Sequence, residues 1–420
     1  MRSRLFFFSM EHDVELIPNL FRKEFSKMVA VISKQFGLRH FEIAEDVVSE
    51  TFLQATETWK DKGVPPNPTA WLYAVAKQKT LSYFRRNKIL DEKVIPELKE
   101  ARDSDTSELD FSVDNIKDSE LKMMFAVCDP AIASEAQIAL ALRILCGFTI
   151  DEIAEAFLTN KETINKRLFR AKEKLRTELN TVDIGGEQEI GRRLDNVLHI
   201  IYLLFSEGYY STTSSEVLRR DLCLEALRLG LLLTQFEGTD LPKTNALVAL
   251  MCFHTSRFDA RQNENIDFIL YDHQDKDLWN EELISQGCHF LGRSAYGSEV
   301  SSYHLEAGIA FWHCKRDETL EKWQGIADLY DKLMEINYSP SVALNRAYAL
   351  YKSKGPRVAL AETEKLNLTN NHFYFTLLGE LYEHLDVSKA ASNYEKAIAL
   401  ARSDTDKKFL QNKIDGVKTN

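Results

Sequence analysis

Glycine and proline are scarce in this chain, 17 and 9 in 420 residues, and no segment alternates apolar with polar residues between turn pairs of the Asn-Gly or Asp-Gly kind. Those absences exclude a hairpin-built β architecture. Helical periodicity runs from end to end, and the expected fold class is all-α. The six cysteines, Cys128, Cys146, Cys223, Cys252, Cys288 and Cys314, are scattered without any Cys-x-x-Cys spacing, so no zinc site is expected; reduced thiols suit a cytoplasmic setting. No apolar run reaches the roughly eighteen residues that cross a bilayer, and no membrane is expected among the partners. The run Leu5–Phe8 behind Arg2 and Arg4 is shorter than the roughly seven to fifteen residues of a secretory core. Met10 is a candidate true start, and what precedes it then reads as an unstructured or misassigned leader.

Positive charge is in deficit too: 53 Lys and Arg against 64 Asp and Glu give a formal charge of −11. That excludes coating nucleic acid through bulk charge and confines any DNA contact to a local cluster of cations. What is present is globular, 44% hydrophobic and 28% charged, in a chain too long for one ordinary domain. Two breaks interrupt the helical pattern. Leu90 to Lys117 is rich in Asp, Glu, Lys and Ser and too poor in aromatics to offset its ordering entropy; Asn180 to Glu187 holds Gly185 and Gly186. Modules are expected at 10–90, 118–180 and 187–420, with 91–117 as a linker.

In the second module Thr149 and Glu152 form a capping box ahead of the apolar face Ile150, Ile153, Ala154 and Phe157. After a break at Leu158-Thr159-Asn160, a second helix turns Ile164, Leu168, Ala171 and Leu175 inward. Its other faces carry Lys161, Lys166, Arg167, Arg170, Lys172, Lys174 and Arg176 against Glu162 and Glu173. A solvated charged face is the plain alternative, but two short helices joined by a tight turn present the second to a major groove. Arg143 to Arg176 resembles the minus-35-reading segment of extracytoplasmic-function sigma factors. The resemblance rests on Gly147, Thr149, Glu152 to Glu155, Thr163-Ile164, Arg167-Leu168 and Arg170-Ala171-Lys172, with Leu158 where the family often has glycine. It implies base reading by Lys161, Thr163, Asn165, Lys166 and Arg170, since Lys and Arg donate to guanine and Asn matches adenine, and phosphate contacts by Arg167, Lys172 and Lys174.

The first module decides what such a helix-turn-helix serves. From Ala44 to Trp59 the stripe Val47 or Val48, Thr51, Phe52 and Ala55 faces a core and leaves Asp46, Ser49, Glu50 and Gln54 outside. Asp46 and Glu50, four apart, make a carboxylate edge suited to a basic helical partner; nothing marks them as catalytic acids. Gly63 to Lys88 opens with the stiff loop Pro65, Pro66, Asn67 and Pro68. Its helix then mixes Trp71, Tyr73, Tyr83 and Phe84 with Lys77, Lys79, Arg85, Arg86 and Lys88. Aromatic faces for bases and cations for the backbone suit single-stranded DNA; a core helix with solvated cations is the alternative. The first of these segments resembles the sigma helix that grips the polymerase clamp. The second is similar to the minus-10 helix at Ala70-Trp71-Leu72, Ala76-Lys77 and Arg85-Arg86, with Ser82 in place of a frequent Asp. The resemblance implies a non-enzymatic subunit without cofactor that captures a flipped base near Lys62 to Asn67. Its implied partners are core RNA polymerase, through clamp and flap, and promoter DNA. A helix-turn-helix regulator or scaffold that never joins polymerase is the competing reading.

Beyond Gly186 the chain resembles the sigma subgroup with a C-terminal helical-repeat domain, in Leu194–Ser211, Leu222–Leu233, Ile269–Asn280 and Ser339–Leu350. Independently, Leu344, Asn345 and Tyr348 recur as Leu378, Gly379 and Tyr382, an offset of 34 that equals the tetratricopeptide period, and Ala390, Tyr394 and Ala397 continue the last unit. Stacked helix pairs present a concave surface, so a protein or small molecule is expected as the partner of this extension. His199, His254, His304 and His313 lack metal-ligand spacing and read as structural.

Overall fold

The computed structural model describes residues 2–94, 109–157, 159–178, 187–210, 216–261, 269, 271–383, 385–401 and 404–419. Every regular element among them is helical, and the chain forms two compact units, Met1–Thr239 and Asp240–Asn420.

The first unit opens with α1 (Arg2–Phe36), α2 (Phe41–Lys62) and α3 (Pro68–Val94). The helix begins upstream of Met10, so the stretch expected as an unstructured leader is helical; no glycine or proline precedes Pro18 to stop it. Then come α4 (Val113–Val127), α5 (Ser134–Leu140) with a π-helical turn at Ala141–Leu145, α6 (Ile150–Ala156) and α7 (Lys161–Glu178). Both ends of the expected 91–117 linker are therefore helical, while 95–108, Leu158 and the 179–186 break lie outside the described residues.

The unit closes with the hairpin of α8 (Glu187–Tyr210) and α9 (Glu216–Leu233). These helices pack on each other and on α4, and α8 also on α5. The contact has a polar logic: a helix leaves its last carbonyls without intrahelical donors, and α8 and α9 supply donors where α4 and the π turn end. Arg193 donates to the Phe125 carbonyl at 2.7 Å and pairs with Asp129 at 3.2 Å. Asn196 donates to the Cys128 carbonyl. Arg228 donates to the Leu145 carbonyl at 2.7 Å and pairs with Glu120 at 3.0 Å. The unit boundary consequently falls after Thr239 and not at the 180–187 break.

The second unit holds α10 (Pro242–Thr255), α11 (Glu281–Arg293), α12 (Ser302–His313), α13 (Leu320–Ile336), α14 (Pro340–Lys354), α15 (Pro356–Leu366), α16 (His372–Glu383), α17 (Val387–Leu400) and α18 (Asp404–Thr419). From α12 onward each helix packs on the next. The residues that recur at 34 fall in α14 and α16, with Leu344 and Leu378 in one shared core. Ala390, Tyr394 and Ala397 are fully buried in α17. Helices approach closely where a glycine receives a ring: a methyl added at Gly379 would lie 2.5 Å from the Tyr394 ring, and one at Gly287 2.6 Å from that of Phe253.

Candidate nucleic-acid and polymerase interface

The helix-turn-helix forms as its caps dictate. Thr149 accepts from the Glu152 amide at 3.2 Å while the Glu152 carboxylate accepts from the Thr149 amide at 2.8 Å, closing the capping box of α6. Asn160 caps α7 by accepting from the Thr163 amide at 2.8 Å. Ile153, Ile164, Leu168, Ala171 and Leu175 are buried between the two helices and α5, which fixes the outward face of α7.

On that face Asn165, Lys166 and Arg170 are exposed and make no hydrogen bond or ion pair with the described residues. Thr163 is half-buried, and Lys161 pairs with Asp151 of α6. Phe169, 66% exposed beside Lys166 and Arg170, was not singled out from sequence, since an aromatic at that position also fits a core. The three residues assigned to phosphates are engaged within the protein. Arg167 pairs with Glu135 at 2.8 Å, Lys174 donates to the Ala131 carbonyl, and Lys172 pairs with Glu45 of α2.

That last contact belongs to a seam between the two modules. Glu45 is 8% exposed and also lies 3.6 Å from Arg143; Lys172 stands over the Phe41 ring at 5.5 Å and Arg143 over Phe25 at 5.4 Å. Arg22 of α1 reaches both Glu152 of α6 and Asp221 of α9 and covers the Phe148 ring at 5.2 Å. Lys34 of α1 pairs with Asp118 of α4. Gly147 adopts φ +71, and its α-carbon comes so near α1 that a methyl there would sit 3.3 Å from the Arg22 carbonyl oxygen. The capping glutamate of the helix-turn-helix is thus also an anchor for the first module.

On α2 the exposed edge is as expected for Asp46, Ser49 and Glu50, with Gln54 half-buried; Glu50 pairs with Lys79 of α3 at 3.2 Å. The same edge carries Leu53, 60% exposed, three or four residues beyond Ser49 and Glu50 and so beside them. Sequence reasoning did not single it out, because a lone exposed leucine is ordinary and carries no signal.

The aromatics of α3 are drawn inward more than expected. Trp71 packs edge-on against Trp59 at 5.4 Å. Tyr73 stacks on Phe111 at 4.8 Å and donates its hydroxyl to Glu24 of α1 at 2.5 Å, and burial together with that carboxylate holds the phenol far above its usual pKa. Phe84 stacks flat on Phe36 at 3.8 Å, and Tyr83 meets Phe84 edge-on. Asn67 caps α3, accepting from the Ala70 amide at 3.0 Å. Arg85 and Arg86 are exposed, Lys77 and Lys79 half-buried. Arg85 and Arg86 therefore face outward while Tyr73 and Phe84 hold the module together.

In the second unit a cavity of about 400 Å³ opens among α15, α16 and α17, lined in part by Tyr374, Phe375, Tyr382, Lys389, Asn393 and Lys396. Among the described residues no three His, Cys, Asp or Glu side chains are grouped to hold a metal, and no helix is long and apolar enough to cross a membrane.

These features define a modular, all-α DNA-binding protein whose recognition helix is preceded by a separate helical module. Residues 21–89 match Sigma-70 region 2 and residues 133–175 match Sigma-70, region 4. The chain belongs to the sigma-70 family and is a sigma factor that directs transcription initiation. Residues 193–295 match a family of unknown function, DUF6596. An uncharacterized protein of Rhizobium meliloti (strain 1021) is 31% identical over 385 residues, 90% of this chain and 90% of that protein. No solved structure matches.

Proposed function

We propose that the α2 edge, Asp46, Ser49, Glu50 and Gln54 with Leu53 among them, grips the polymerase clamp. On this reading α3 and the loop at Asn67 engage the minus-10 strand and α7 reads the minus-35 element. The observation that carries it is the face of α7, where Asn165, Lys166 and Arg170 are exposed with no hydrogen bond or ion pair among the described residues. The described arrangement is then a closed form. Elements ten and thirty-five base pairs upstream lie about 85 Å apart at 3.4 Å per pair, whereas a packed unit of this size has a radius of gyration of about 18 Å. To occupy both, the modules must part at the seam, which releases Lys172 from Glu45. The α8–α9 hairpin, bonded to both modules through Asp221, Arg193 and Arg228, favours the closed form and gives the extension a regulatory role. The repeat-like helices from α13 onward serve as a docking surface for a protein or small molecule.

The decisive experiment is competition with a housekeeping sigma factor for core polymerase in a reconstituted transcription assay. The double variant Asp46→Arg, Glu50→Arg should lose core binding while keeping duplex DNA binding. Transcription unaffected by that charge reversal would favour a helix-turn-helix scaffold that works without polymerase.

A further inference from the structure

The cavity of about 400 Å³ among α15, α16 and α17 has one cationic wall and one apolar wall. The first is the row Lys389, Ser392, Asn393 and Lys396 of α17, residues three and four apart and so on one helix face. The second is the row Phe375, Leu378 and Tyr382 of α16, spaced the same way. Each lysine stands over a ring of that second row: Lys389 Nζ lies 5.2 Å from the centre of Tyr382 and Lys396 Nζ 5.6 Å from that of Phe375. A ring meets an ammonium from one side and leaves its other N–H donors free. Neither lysine is firmly paired. Lys396 makes no hydrogen bond or ion pair with the described residues, and Lys389 reaches Asp386 at 3.9 Å, the edge of ion-pair distance. The carboxylate that lines the cavity, Glu364 of α15, instead accepts from the Tyr382 hydroxyl at 2.8 Å. Asn393, 7% exposed, donates Nδ2 to the Lys389 carbonyl at 2.9 Å, which holds the side chain and leaves Oδ1 without a hydrogen-bond partner among the described residues.

We propose that this groove binds an acidic peptide segment of a partner protein, with two carboxylates on Lys389 and Lys396, an apolar side chain between them on Phe375, Leu378 and Tyr382, and a backbone N–H donating to Asn393 Oδ1. Seven residues of helix separate the lysines by about 10 Å, the reach of about three residues of extended chain. Charge sets the class of partner, since two weakly engaged cations in a chain of net charge −11 call for an anionic complement. The Asn393 acceptor argues against a phosphodiester backbone, which has no donor to offer it, and the apolar row argues against a bare inorganic anion. Lys389, Ser392 and Lys396 are exposed, so the groove is open on that side and admits a chain lying across it. The inference deepens the docking reading of the helices from α13 onward and rests on it; it does not depend on how the first unit engages DNA.

An array of amidated octapeptides, with two acidic residues set one to five apart around a leucine or phenylalanine, tests it with the full chain as probe. Fluorescence anisotropy then gives Kd for the best binder and for its copy with glutamine in place of the acids. A Kd of about 100 μM or tighter at low salt is expected, weakening as salt is raised, with the glutamine copy at least tenfold weaker. The double variant Lys389→Gln, Lys396→Gln should bind the acidic peptide at least tenfold more weakly. Ser392→Trp, which fills the groove from an exposed position, should abolish binding, and both variants should keep the wild-type Tm. If no peptide of the array binds this tightly, the proposal is overturned, as it is if single-stranded DNA or polyphosphate competes as well as unlabelled peptide. Binding that survives both variants overturns it too. Photocrosslinking of that peptide to another of the helices from α13 onward would then keep the docking reading, and crosslinking to the first unit would end both.

Discussion

Single residues carry more than one duty in this chain, and substitution should expose both. Gly147 ends the π turn at positive φ and lets α1 come within contact of the helix-turn-helix. Gly147→Ala meets the left-handed penalty of about 1–2 kcal/mol and must also move the Arg22 backbone. The urea midpoint of the first unit should fall accordingly with an unchanged m-value. His313 makes a pH prediction. Burial, reinforced by Arg257 and Lys322, pushes its imidazole down to about 3 from 6.5. A neutral buried histidine contributes stability that is fully present above pH 6.5 and drains away as pH falls from there towards 3. Between pH 6.5 and 5 the loss is about 2 kcal/mol at 1.36 kcal/mol per pH unit, and His254, held neutral by burial and nearby arginines, adds in the same direction. Urea melts of the full chain at pH 7 and pH 5 should show it, and His313→Gln should flatten the dependence; a pH-independent second transition would refute the assignment. At this scale the sequence was legible wherever a residue acts on its own neighbours. Thr149 and Glu152 close the capping box that their spacing announces, because both partners lie within one helical turn.

Between elements the sequence said less. The mixture of Trp71, Tyr73, Tyr83 and Phe84 in α3 suits base stacking or core packing equally. What decides is Glu24, Phe36 and Phe111, which sit far away in sequence and cover Tyr73 and Phe84. Likewise the cationic stripe of α7 was visible, but nothing local foretold that Lys172 would be turned towards Glu45. That pair gives the element-scale prediction. Glu45→Gln removes the carboxylate that holds Lys172 and Arg143, so the first unit should lose stability, since breaking one side of a buried pair leaves a charge uncompensated. Lys172 is then free for a phosphate. Binding of a minus-35 duplex should strengthen, and the slope of log K against log salt should steepen by about 0.9, the increment for one added contact. Unchanged salt dependence would mean that the seam does not withhold Lys172 and would remove the closed-form reading.

For the whole molecule, helix class and the order of modules were readable from glycine scarcity, helical periodicity and the two breaks, but the division between structural units was not. Gly185 and Gly186 mark a pause in the chain. The partners of α8 and α9 are set by Phe125, Cys128 and Leu145 carbonyls that need donors, a demand that no composition shift records. A chain ending at Gly186 would therefore leave those carbonyls unmet and strip the cover from α4 and α5, where Met123, Met124, Ala139 and Leu140 are fully buried. A chain ending at Thr239 retains the hairpin. Expressed side by side, the longer fragment should be monodisperse and melt in one cooperative transition, while the shorter should aggregate or bind a hydrophobic dye, as expected of an exposed apolar patch. If the shorter fragment proved as stable as the longer, the hairpin would be a passenger on the sigma modules, and the extension would have to act on transcription by some route other than holding them together.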